Sequence, residues 1–541
     1  MNLKRQHGLA AAVVSGLAGA AMGQLTPVWE DRYNGPDSSV DLAWASVLDR
    51  QGNLVVAASS PANFESQAFI TLKYGPGGRQ WERRLDGSGT ITFDRAVTVA
   101  TDAEDNVIVG GLIDDEDTEF DGMVAKYTPE GTLVWQRQLN FFGLDDQVTR
   151  VLVGPGGEVY VVGTTHNGVF GHDTAMYAVA LNPSTGEVTW TDIFEHVPSE
   201  PFQMNAPDVV MDAKIDRDGN LVVVGFTGIA PTFDSGLRTT VIKYVEGQRQ
   251  WVFRDTEDVH HFNGTTHLDV DPANNLFVVF ARGGQSSQWD TGLMKLSGAS
   301  GAMAWKRSFA GLFGDSQRPV KTLFDYERDR IVIMTQVFED GNFPVDEDVL
   351  LVAYDTAGVQ RWSRRWTGPG VTSDTCQGIV ADGQGNAVVL ISAGNGPSFS
   401  YTDIDWVVQQ YRISDGTPGW SFRYGNVGST PRSYRGKDLK LDASRRALLV
   451  VGESAPDPLS ADAPSFDITV VRMDLPRVMH CSADFNNDGD TATDQDIEAF
   501  FACIGGNCCA LCGSPDFNND GNAGTDQDIE AFFRVVGGHG C

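Results

Sequence analysis

Short apolar segments alternate with polar turns along most of the chain, and the same order of four segments returns many times. In residues 212–255, the alternating segment DAKIDRDGN leads into the apolar run LVVVGF; after a variable loop come TTVIKYV, a glycine turn and RQWVFRD. Alternation indicates a half-buried strand, and a short apolar run between turns is typical of a fully buried one. The Asp-x-x-Gly-Asn turn favours a hairpin, because glycine and asparagine accept positive φ at little cost. Each unit is therefore predicted to form four antiparallel strands.

A tryptophan marks the fourth segment of each unit at a nearly constant spacing. Eight of them follow one another at intervals of 52, 54, 55, 61, 54, 57 and 58 residues, namely Trp29, Trp81, Trp135, Trp190, Trp251, Trp305, Trp362 and Trp420. Four short strands per unit and a fixed period are typical of propeller blades. The first tryptophan segment has no unit before it, whereas the last unit, residues 437–475, ends without one. We therefore predict a mainly β fold, an eight-bladed β-propeller closed by its N-terminal strand.

The chain is expected to contain three parts. Residues 1–23 are predicted to be a signal peptide, because a charged start is followed by a short apolar run and the small-x-small sequence Ala21-Met22-Gly23. Residues 24–476 are the predicted propeller. The composition changes after them, so that residues 477–541 are predicted to be a separate module with disulfides. No other apolar segment reaches about 18 residues, so no transmembrane segment is expected in the mature chain.

Composition and charge narrow the range of partners. The 541 residues carry a formal net charge of −32, which would repel phosphate groups, so nucleic acid and an anionic membrane surface are not expected as partners. Such acidity fits either plain solubility or the binding of divalent cations. Together with the signal peptide, it predicts a protein that is secreted or held at the cell surface.

The cysteines are concentrated in the predicted C-terminal module. Cys376 is alone in the predicted propeller, and the other six are Cys481, Cys503, Cys508, Cys509, Cys512 and Cys541. An even number of cysteines in a small exported module indicates disulfides, whose pairing the sequence leaves open. Zinc is the alternative for the pair Cys509-x-x-Cys512, although no second pair stands at the spacing of a zinc finger.

A duplicated segment in this module predicts two calcium sites. DFNNDGDTATDQDIEAFF (484–501) returns as DFNNDGNAGTDQDIEAFF (516–533). Both begin with Asp-x-Asn-x-Asp-Gly, the first half of an EF-hand loop, in which oxygens at positions 1, 3 and 5 converge on one Ca²⁺. Position 12 is glutamine, but carboxylates flank it, so a loop one residue longer would restore the acidic closing ligand. The predicted Ca²⁺ ligands are Asp484, Asn486, Asp488, Asp490, Asp494, Asp496, Asp516, Asn518, Asp520, Asn522, Asp526 and Asp528.

Within this set some roles differ and some stay open. Asp490 and Asn522 would ligate through the backbone carbonyl. Either the first or the second carboxylate that flanks position 12 could close each loop. Thr493-x-x-Asp496 also fits a helix capping box, which does not exclude ligation, because the last ligand of such a loop lies in the first helical turn. Helical spacing then predicts two apolar faces, formed by Ile497, Phe500, Phe501 and Ile504 and by Ile529, Phe532, Phe533 and Val536.

Two resemblances concern the propeller. Its units, written D-x-x-GN-x-x-V-x-G followed by D-x-x-x-x-KY-x-x-x-G-x-x-x-W, resemble the bacterial β-propeller repeat of the SBBP type, best at residues 93–137 and 207–253. This resemblance implies an extracytoplasmic propeller and no single activity. The segments TGEVTW, SGAMAW and DGTPGW also resemble the tryptophan motifs of quinoprotein dehydrogenases, which resemble one another in an adjacent cysteine pair beside the quinone. The adjacent pair here, Cys508-Cys509, lies outside the predicted propeller, so a quinone is not expected.

A third resemblance concerns residues 481–541. Two calcium loop–helix units in tandem, with the ending GGHGC, resemble a Gly-Cys-terminated dockerin-type module. This resemblance implies docking onto a cohesin-like protein or anchoring to a cell-surface protein. The longer loops and the six cysteines depart from cellulosomal dockerins, and this leaves the partner open.

The propeller sequence offers little local chemistry. G-x-S-x-G, the P-loop and H-E-x-x-H are absent. The cluster of His260, His261 and His267 could hold a metal with Asp269 or Asp271, or could be a polar loop that leads into a strand.

We therefore expect a non-enzymatic scaffold that presents a surface to a protein or glycan ligand and is anchored through the calcium module. The alternative is an extracellular carbohydrate-active enzyme, a lyase or hydrolase. Histidine, arginine or tyrosine converging with carboxylates in the channel would favour the enzyme, and small apolar residues would favour the scaffold.

Overall fold

The structure is a computed structural model of the 541-residue chain. It describes residues 27–36, 40–63, 66–88, 93–115, 119–167, 174–195, 207–228, 237–256, 266–283, 289–309, 316–338, 347–368, 373–394, 404–425, 433–442, 447–455, 466–475, 483–486, 488, 490–509, 512, 515, 517 and 523–537. The predicted signal peptide lies outside the described residues. The chain divides into two compact units, residues 1–474 and 475–541, two residues before the predicted boundary.

The described strands of the first unit form eight four-stranded antiparallel sheets, which are the blades of a propeller. Strand β1 (Pro27–Tyr33) precedes the first blade in the chain. Blades 1 to 4 consist of β2 (Leu42–Leu48), β3 (Leu54–Asn63), β4 (Ser66–Gly75) and β5 (Gly78–Leu85); β6 (Arg95–Thr101), β7 (Val107–Asp115), β8 (Glu119–Tyr127) and β9 (Leu133–Leu139); β10 (Asp146–Val153), β11 (Val159–His166), β12 (Thr174–Leu181) and β13 (Val188–Phe194); and β14 (Val209–Ile215), β15 (Leu221–Thr227), β16 (Arg238–Val245) and β17 (Gln248–Arg254). Blades 5 to 8 consist of β18 (Thr266–Val270), β19 (Asn275–Gly283), β20 (Trp289–Ser297) and β21 (Met303–Phe309); β22 (Ser316–Asp325), β23 (Arg330–Phe338), β24 (Glu347–Tyr354) and β25 (Gln360–Trp366); β26 (Thr375–Ala381), β27 (Asn386–Gly394), β28 (Ile404–Arg412) and β29 (Pro418–Tyr424); and β30 (Tyr434–Asp442), β31 (Ala447–Ser454) and β32 (Asp467–Asp474), to which β1 adds the fourth strand.

The first strand of each blade lies at the centre of the ring. Each of β2, β6, β10, β14, β18, β22, β26 and β30 contacts the first strand of the next blade, and β30 contacts β2, so that the circle is complete. The two middle strands of a blade are almost wholly buried, as in β12 and β15, whereas the fourth strand is largely accessible to solvent. The continuous apolar runs of the sequence are therefore the strands covered on both faces.

The N-terminal strand closes the ring, as predicted. Strand β1 pairs antiparallel with β32, from Trp29 opposite Arg472 to Tyr33 opposite Ile468. Separating blade 8 into its two chain ends would break a ladder of backbone hydrogen bonds, and pairing with β1 leaves β32 without an open edge. The prediction of a mainly β, eight-bladed propeller is confirmed.

The Asp-x-x-Gly-Asn turns join the first two strands of a blade. The Oδ1 atom of Asp49 accepts hydrogen bonds from the amides of Gln51 (3.0 Å) and Asn53 (2.8 Å), and the side-chain amide of Asn53 donates to Oδ2 (2.9 Å). The same aspartate-centred turn returns at Asp102, Asp216, Asp271 and Asp382. One side chain thus satisfies the turn amides that the hairpin leaves unpaired.

The fourth strand of a blade reaches the next blade through its tryptophan. Trp135 of β9 donates from Nε1 to the carbonyl of Pro183 (3.0 Å), and Lys126 of β8 donates to the same oxygen (2.9 Å). This carbonyl belongs to the turn between β12 and β13. Gly186, with φ of 69°, lies against the indole in the same turn. Shared carbonyl acceptors of this kind recur at Pro76, Pro129 and Gly298.

The described part of the second unit contains two helices. Helix α1 (Asp494–Ile504) and helix α2 (Asp526–Val536) each begin with a capping box, at Thr493 and Thr525. Their core is a cluster of buried phenylalanines, Phe485, Phe500, Phe517 and Phe532, and the rings of Phe500 and Phe532 stack with centroids 4.1 Å apart.

The predicted apolar faces are wrong at two equivalent positions. Phe501 and Phe533 are 44% and 43% exposed, because Phe500 and Phe532 together with the loop phenylalanines already fill the core between the helices. The two exposed rings lie beside each other, with centroids 6.2 Å apart.

Two disulfides cross-link the segment that follows α1. Cys503 is bonded to Cys508, and Cys509 is bonded to Cys512. These bonds agree with the predicted disulfides, and they correct the zinc alternative, because both thiols of the Cys509-x-x-Cys512 pair are consumed. Cys481 and Cys541 lie outside the described residues, and Cys376 is a buried free thiol of β26.

Candidate functional sites

Eight equivalent residues surround the central channel, one on the first strand of each blade. In seven blades this residue directly follows the β-bulge of the first strand, and in blade 5 His267 occupies the corresponding position, opposite Val279. We call this set the channel ring. In blade order it comprises Ala45, Thr98, Arg150, Asp212, His267, Lys321, Gly378 and Asp438. Small or neutral residues occupy blades 1, 2 and 7, whereas ionisable side chains occupy the other five.

Asp212 of β14 is buried and satisfied by its neighbours. Its Oδ1 atom forms an ion pair with Arg150 of the preceding blade (3.0 Å), and its Oδ2 atom accepts from the amide of Leu268 of the following blade (3.1 Å). Burial alone would raise the pKa of Asp212, but the positive charges of Arg150 and Lys214 outweigh it, and the pKa is lowered. Asp212 is therefore ionised at neutral pH and links three blades.

Asp438 of β30 is held in a similar way. Its Oδ2 atom accepts from Ser46 of blade 1 (2.8 Å) and from Lys440 (2.8 Å), and its Oδ1 atom accepts from the amide of Leu439 (2.9 Å). Burial would raise the pKa of Asp438, but Lys440 and Lys321 lower it. Both carboxylates of the ring are thus negatively charged and already have hydrogen-bond donors.

His267 contacts the next blade. Its Nε2 atom lies 2.7 Å from the carbonyl oxygen of Val320, so Nε2 carries the proton and donates to that oxygen. Burial lowers the pKa of His267 to about 4, against the opposing charge of Asp212. The imidazole is therefore neutral at pH 7, with Nδ1 as its unprotonated nitrogen.

Lys321 differs from the other charged members of the ring. Within the part of the chain that the structure describes, no carboxylate oxygen lies within ion-pair distance of its Nζ atom. Burial lowers the pKa of Lys321, and the charges of Lys440 and Arg150 add to this, whereas Asp438 and Asp212 oppose it. Lys321 is thus the one charged member of the ring that has no ion-pair partner among the described residues.

Further charges follow two residues along the same strands. Lys214 and Asp269 lie 4.0 Å apart on β14 and β18, and Lys440 lies on β30. Together with the ring they give four cationic side chains, namely Arg150, Lys214, Lys321 and Lys440, against three carboxylates. A local excess of positive charge stands out in a chain whose net charge is −32.

Two residues of this site, His267 and Asp269, are among the candidates predicted from the sequence. His267 belonged to the predicted histidine cluster, but His260 and His261 lie outside the described residues, and Asp271 instead forms the hairpin turn of blade 5. Successive ring members are 52 to 62 residues apart in the chain. Only the register of the strands shows that they occupy one position.

The first predicted calcium loop is described in part. The amide of Asp488 donates to Oδ1 of Asp484 (3.0 Å) and to Oδ1 of Asn486 (3.0 Å), and the amide of Asp490 donates to Oδ1 of Asp488 (2.9 Å). The loop thus folds around its own oxygen atoms, and Asp488 and Asp490 are exposed. Asp516, Asn518, Asp520 and Asn522 of the second loop lie outside the described residues.

The two carboxylates that could close the first loop differ in their surroundings. Asp496 is buried: its Oδ1 atom accepts from the amides of Phe485 (2.7 Å) and Asn486 (3.2 Å), and its Oδ2 atom accepts from the amide (2.9 Å) and the hydroxyl (2.8 Å) of Thr493. Asp494 is exposed at the start of α1. In the second loop, Asp528 is likewise buried and bonded to Thr525, and Asp526 is exposed.

No preformed metal cage is found among the described residues: no three His, Cys, Asp or Glu side chains are gathered to hold an ion. The oxygen-only donor set of the first loop nevertheless fits a hard cation such as Ca²⁺. None of the described helices is both long and apolar enough to span a membrane.

Comparison with known proteins adds no family. No protein-family model matches the chain, and no curated protein does. Among solved structures, the chain is similar to the quinohemoprotein alcohol dehydrogenase of Comamonas testosteroni, with 14% identity, a TM-score of 0.49, and coverage of 90% of this chain and 82% of that one. It is also similar to a europium-containing methanol dehydrogenase, with 10% identity, a TM-score of 0.49, and coverage of 83% and 93%.

A third similar structure is an ulvan lyase of polysaccharide lyase family 25, with 10% identity, a TM-score of 0.41, and coverage of 68% of this chain and 90% of that one. Likenesses this weak carry no argument about activity. The class of protein that the fold defines is the eight-bladed β-propeller with a small helical unit after it.

Proposed function

We propose that this protein is an exported propeller scaffold that presents a binding surface to a protein or glycan and is anchored or docked through its C-terminal unit. The observation that carries the proposal is the pair of loop–helix repeats in a separate compact unit. A unit with its own phenylalanine core, duplicated polar loops and exposed aromatic rings is suited to contact a second molecule, such as a cohesin-like or cell-surface anchoring protein.

The proposed cofactor is Ca²⁺, one ion in each loop. Asp484, Asn486 and Asp488 would supply side-chain oxygens, and the carbonyl of Asp490 a backbone oxygen. Asp494 is free to turn towards the ion, whereas Asp496 already accepts four hydrogen bonds. We therefore favour Asp494 and Asp526 as the carboxylates that close the loops, with Asp496 and Asp528 as the residues that fix the loop to its helix.

The test removes the first ligand of each loop in the full-length protein. The double variant Asp484→Ala, Asp516→Ala should lose two Ca²⁺ ions per chain in equilibrium dialysis, because position 1 ligates directly. It should also be released from the cell-surface fraction of the native host. The matched control is Glu498→Ala, Glu530→Ala, which removes the same charge from exposed helical positions. Unchanged Ca²⁺ binding in the first variant would refute the calcium sites, and unchanged localisation would refute the anchoring role.

A second candidate is an extracellular carbohydrate-active enzyme. The observation that favours it is the convergence of His267 and Arg150 with Asp212 in the channel. A neutral imidazole with an unprotonated Nδ1 can accept a proton, and the cations beside it can stabilise a developing negative charge. The test is polysaccharide cleavage by the wild-type protein and by the His267→Ala variant. Cleavage by the wild type that is lost in the variant would favour the enzyme over the scaffold.

A further inference from the structure

The central channel contains a positively charged site that has no part in the proposed role of the C-terminal unit. We propose that the channel binds an oxyanion group, a carboxylate or a sulfate carried by the ligand, at Lys321, with Lys440 and Arg150 as the neighbouring cations. The inference rests on the proposal that the propeller binds a ligand. It does not depend on the C-terminal unit.

The geometry distinguishes Lys321 from the lysines that serve the fold. Lys73, Lys126 and Lys243 are buried in ion pairs of 3.0, 2.9 and 2.7 Å with turn aspartates, and each also donates to a carbonyl of the next blade. These three lysines therefore have no capacity for a ligand. Lys321 lies on an innermost strand and has no such pair among the described residues.

The carboxylates of the ring cannot neutralise Lys321 without losing other contacts. Asp212 accepts from Arg150 and from two backbone amides, and Asp438 accepts from Ser46, from Lys440 and from a backbone amide. A carboxylate whose oxygens already have donors gains little by turning away from them. An incoming oxyanion would instead supply the missing partner.

The neighbouring charges favour an anion over a cation. Lys321 interacts electrostatically with Lys440 and Arg150 as well as with Asp438 and Asp212. His267 adds no charge at neutral pH. Bringing an anion between cations that repel one another relieves that repulsion and replaces lost hydration by charge-assisted hydrogen bonds. Because the protein as a whole is strongly acidic, an anionic ligand would be repelled by most of its surface and attracted to this channel.

The test uses the full-length protein, with sodium sulfate and sodium glucuronate as probes. Binding is measured by isothermal titration calorimetry at constant ionic strength set with sodium chloride, because screening and general salt effects act on the whole surface. We expect saturable binding of at least one probe, and the Lys321→Met variant should bind it about tenfold more weakly or worse, as for loss of a charged hydrogen bond. Binding of sulfate alone would identify a sulfated ligand, and binding of glucuronate alone a carboxylate.

The matched control is Arg412→Met, which removes one positive charge from the exposed end of β28 in blade 7 and should leave binding unchanged. Lys321→Met should keep the wild-type melting temperature or exceed it, because burial disfavours the ammonium group. Should it fail to fold, Lys440→Met serves as the second variant. Equal affinity in Lys321→Met and wild type, or no saturable binding of either probe by wild type, would overturn the proposal. Because neither result involves the calcium loops, this proposal and the anchoring proposal fail separately.

Discussion

Single residues of the repeat perform more than one task, and the lysine of the KY motif shows this best. Lys243 forms an ion pair with Asp216 (2.7 Å) and donates to the carbonyl of Gly298 (2.9 Å), and Asp216 also organises its hairpin turn. Blade 3 lacks both charges at once, with Gly154 and Ala180 at the equivalent positions. Where the aspartate stands without the lysine, another donor replaces it: Gln410 donates to Asp382 in blade 7 (2.9 Å), and Arg328 pairs with Asp325 in blade 6 (3.0 Å). This is expected, because a buried charge is costly without a partner.

We predict that the two charges are energetically coupled. Asp216→Ala should lower the free energy of unfolding by about 3–5 kcal/mol, because it leaves the Lys243 ammonium buried without a carboxylate. The double variant Asp216→Ala, Lys243→Ala, which resembles blade 3, should cost less than the sum of the two single variants. Urea unfolding of the four proteins gives the double-mutant cycle. Strictly additive changes would show that the pair contributes nothing as a pair.

At the scale of the element, the turn between the third and fourth strands is the joint between blades. Its carbonyl accepts from the tryptophan indole of the preceding blade, and its glycine lies against the ring. At Gly186 an added Cβ would come within 2.7 Å of Trp135. At Gly157, in the first turn of the same blade, φ is also positive but no atom lies within 4 Å of the added Cβ.

These two glycines separate backbone strain from the blade contact. Gly157→Ala should lower stability by about 1 kcal/mol, the usual penalty of positive φ for alanine. Gly186→Ala should lower it by about 1–3 kcal/mol more, because the methyl group must displace the indole. The melting temperatures of the two variants test this order. If the two melted at the same temperature, the turn would not be a tight joint.

At the scale of the whole molecule, buried aspartates lie at the start of the innermost strands of several blades, either directly before the strand or as its first residue. Burial raises the pKa values of Asp41, Asp94 and Asp146 to about 6, although backbone amides bonded to each of them act in the opposite direction. For Asp102 and Asp216 burial is outweighed by hydrogen bonds to Lys126 and Lys243, and their pKa values are lowered. As the pH falls, protonation of the first group raises the free energy of unfolding, whereas protonation of the second group lowers it.

We predict that the propeller is most stable under mildly acidic conditions. Between about pH 7 and pH 4, the folded state takes up protons at the raised carboxyls that the unfolded state, with pKa near about 3.9, does not. The free energy of unfolding should therefore rise as the pH falls through about 6, and fall again below about 4, where Asp102 and Asp216 begin to be protonated on unfolding.

Lowering the pH also reduces the net negative charge of the protein, and this too raises the free energy of unfolding. A matched pair of variants separates the two effects. Asp94→Asn should show a smaller gain in stability between pH 7 and pH 5 than Asp474→Asn, which removes the same charge from an exposed position. Melting temperatures across this range are the measurement. Equal gains in the two variants would assign the effect to net charge alone.

The fold could be predicted from the sequence because the features that specify a blade are local and repeated. Alternation, apolar runs, Asp-x-x-Gly-Asn turns and one tryptophan per unit gave the number of blades and the closing strand. The duplicated Asp/Asn segments gave the two loop–helix units in the same way. The predicted apolar faces of the helices were wrong only at Phe501 and Phe533. Helical periodicity identifies apolar positions, but it does not show how many of them a small core can bury.

The charged channel, by contrast, depends on how the blades come together in three dimensions. Its five ionisable ring residues lie on five different blades, namely Arg150, Asp212, His267, Lys321 and Asp438. The sequence pattern of each strand, taken alone, does not mark these positions as a site. They form one site because strand register places them at the same height and ring closure brings the blades around one axis. Contacts between residues more than 50 positions apart decide which carboxylates already have donors and which ammonium group lacks a carboxylate partner. No local pattern encodes those contacts.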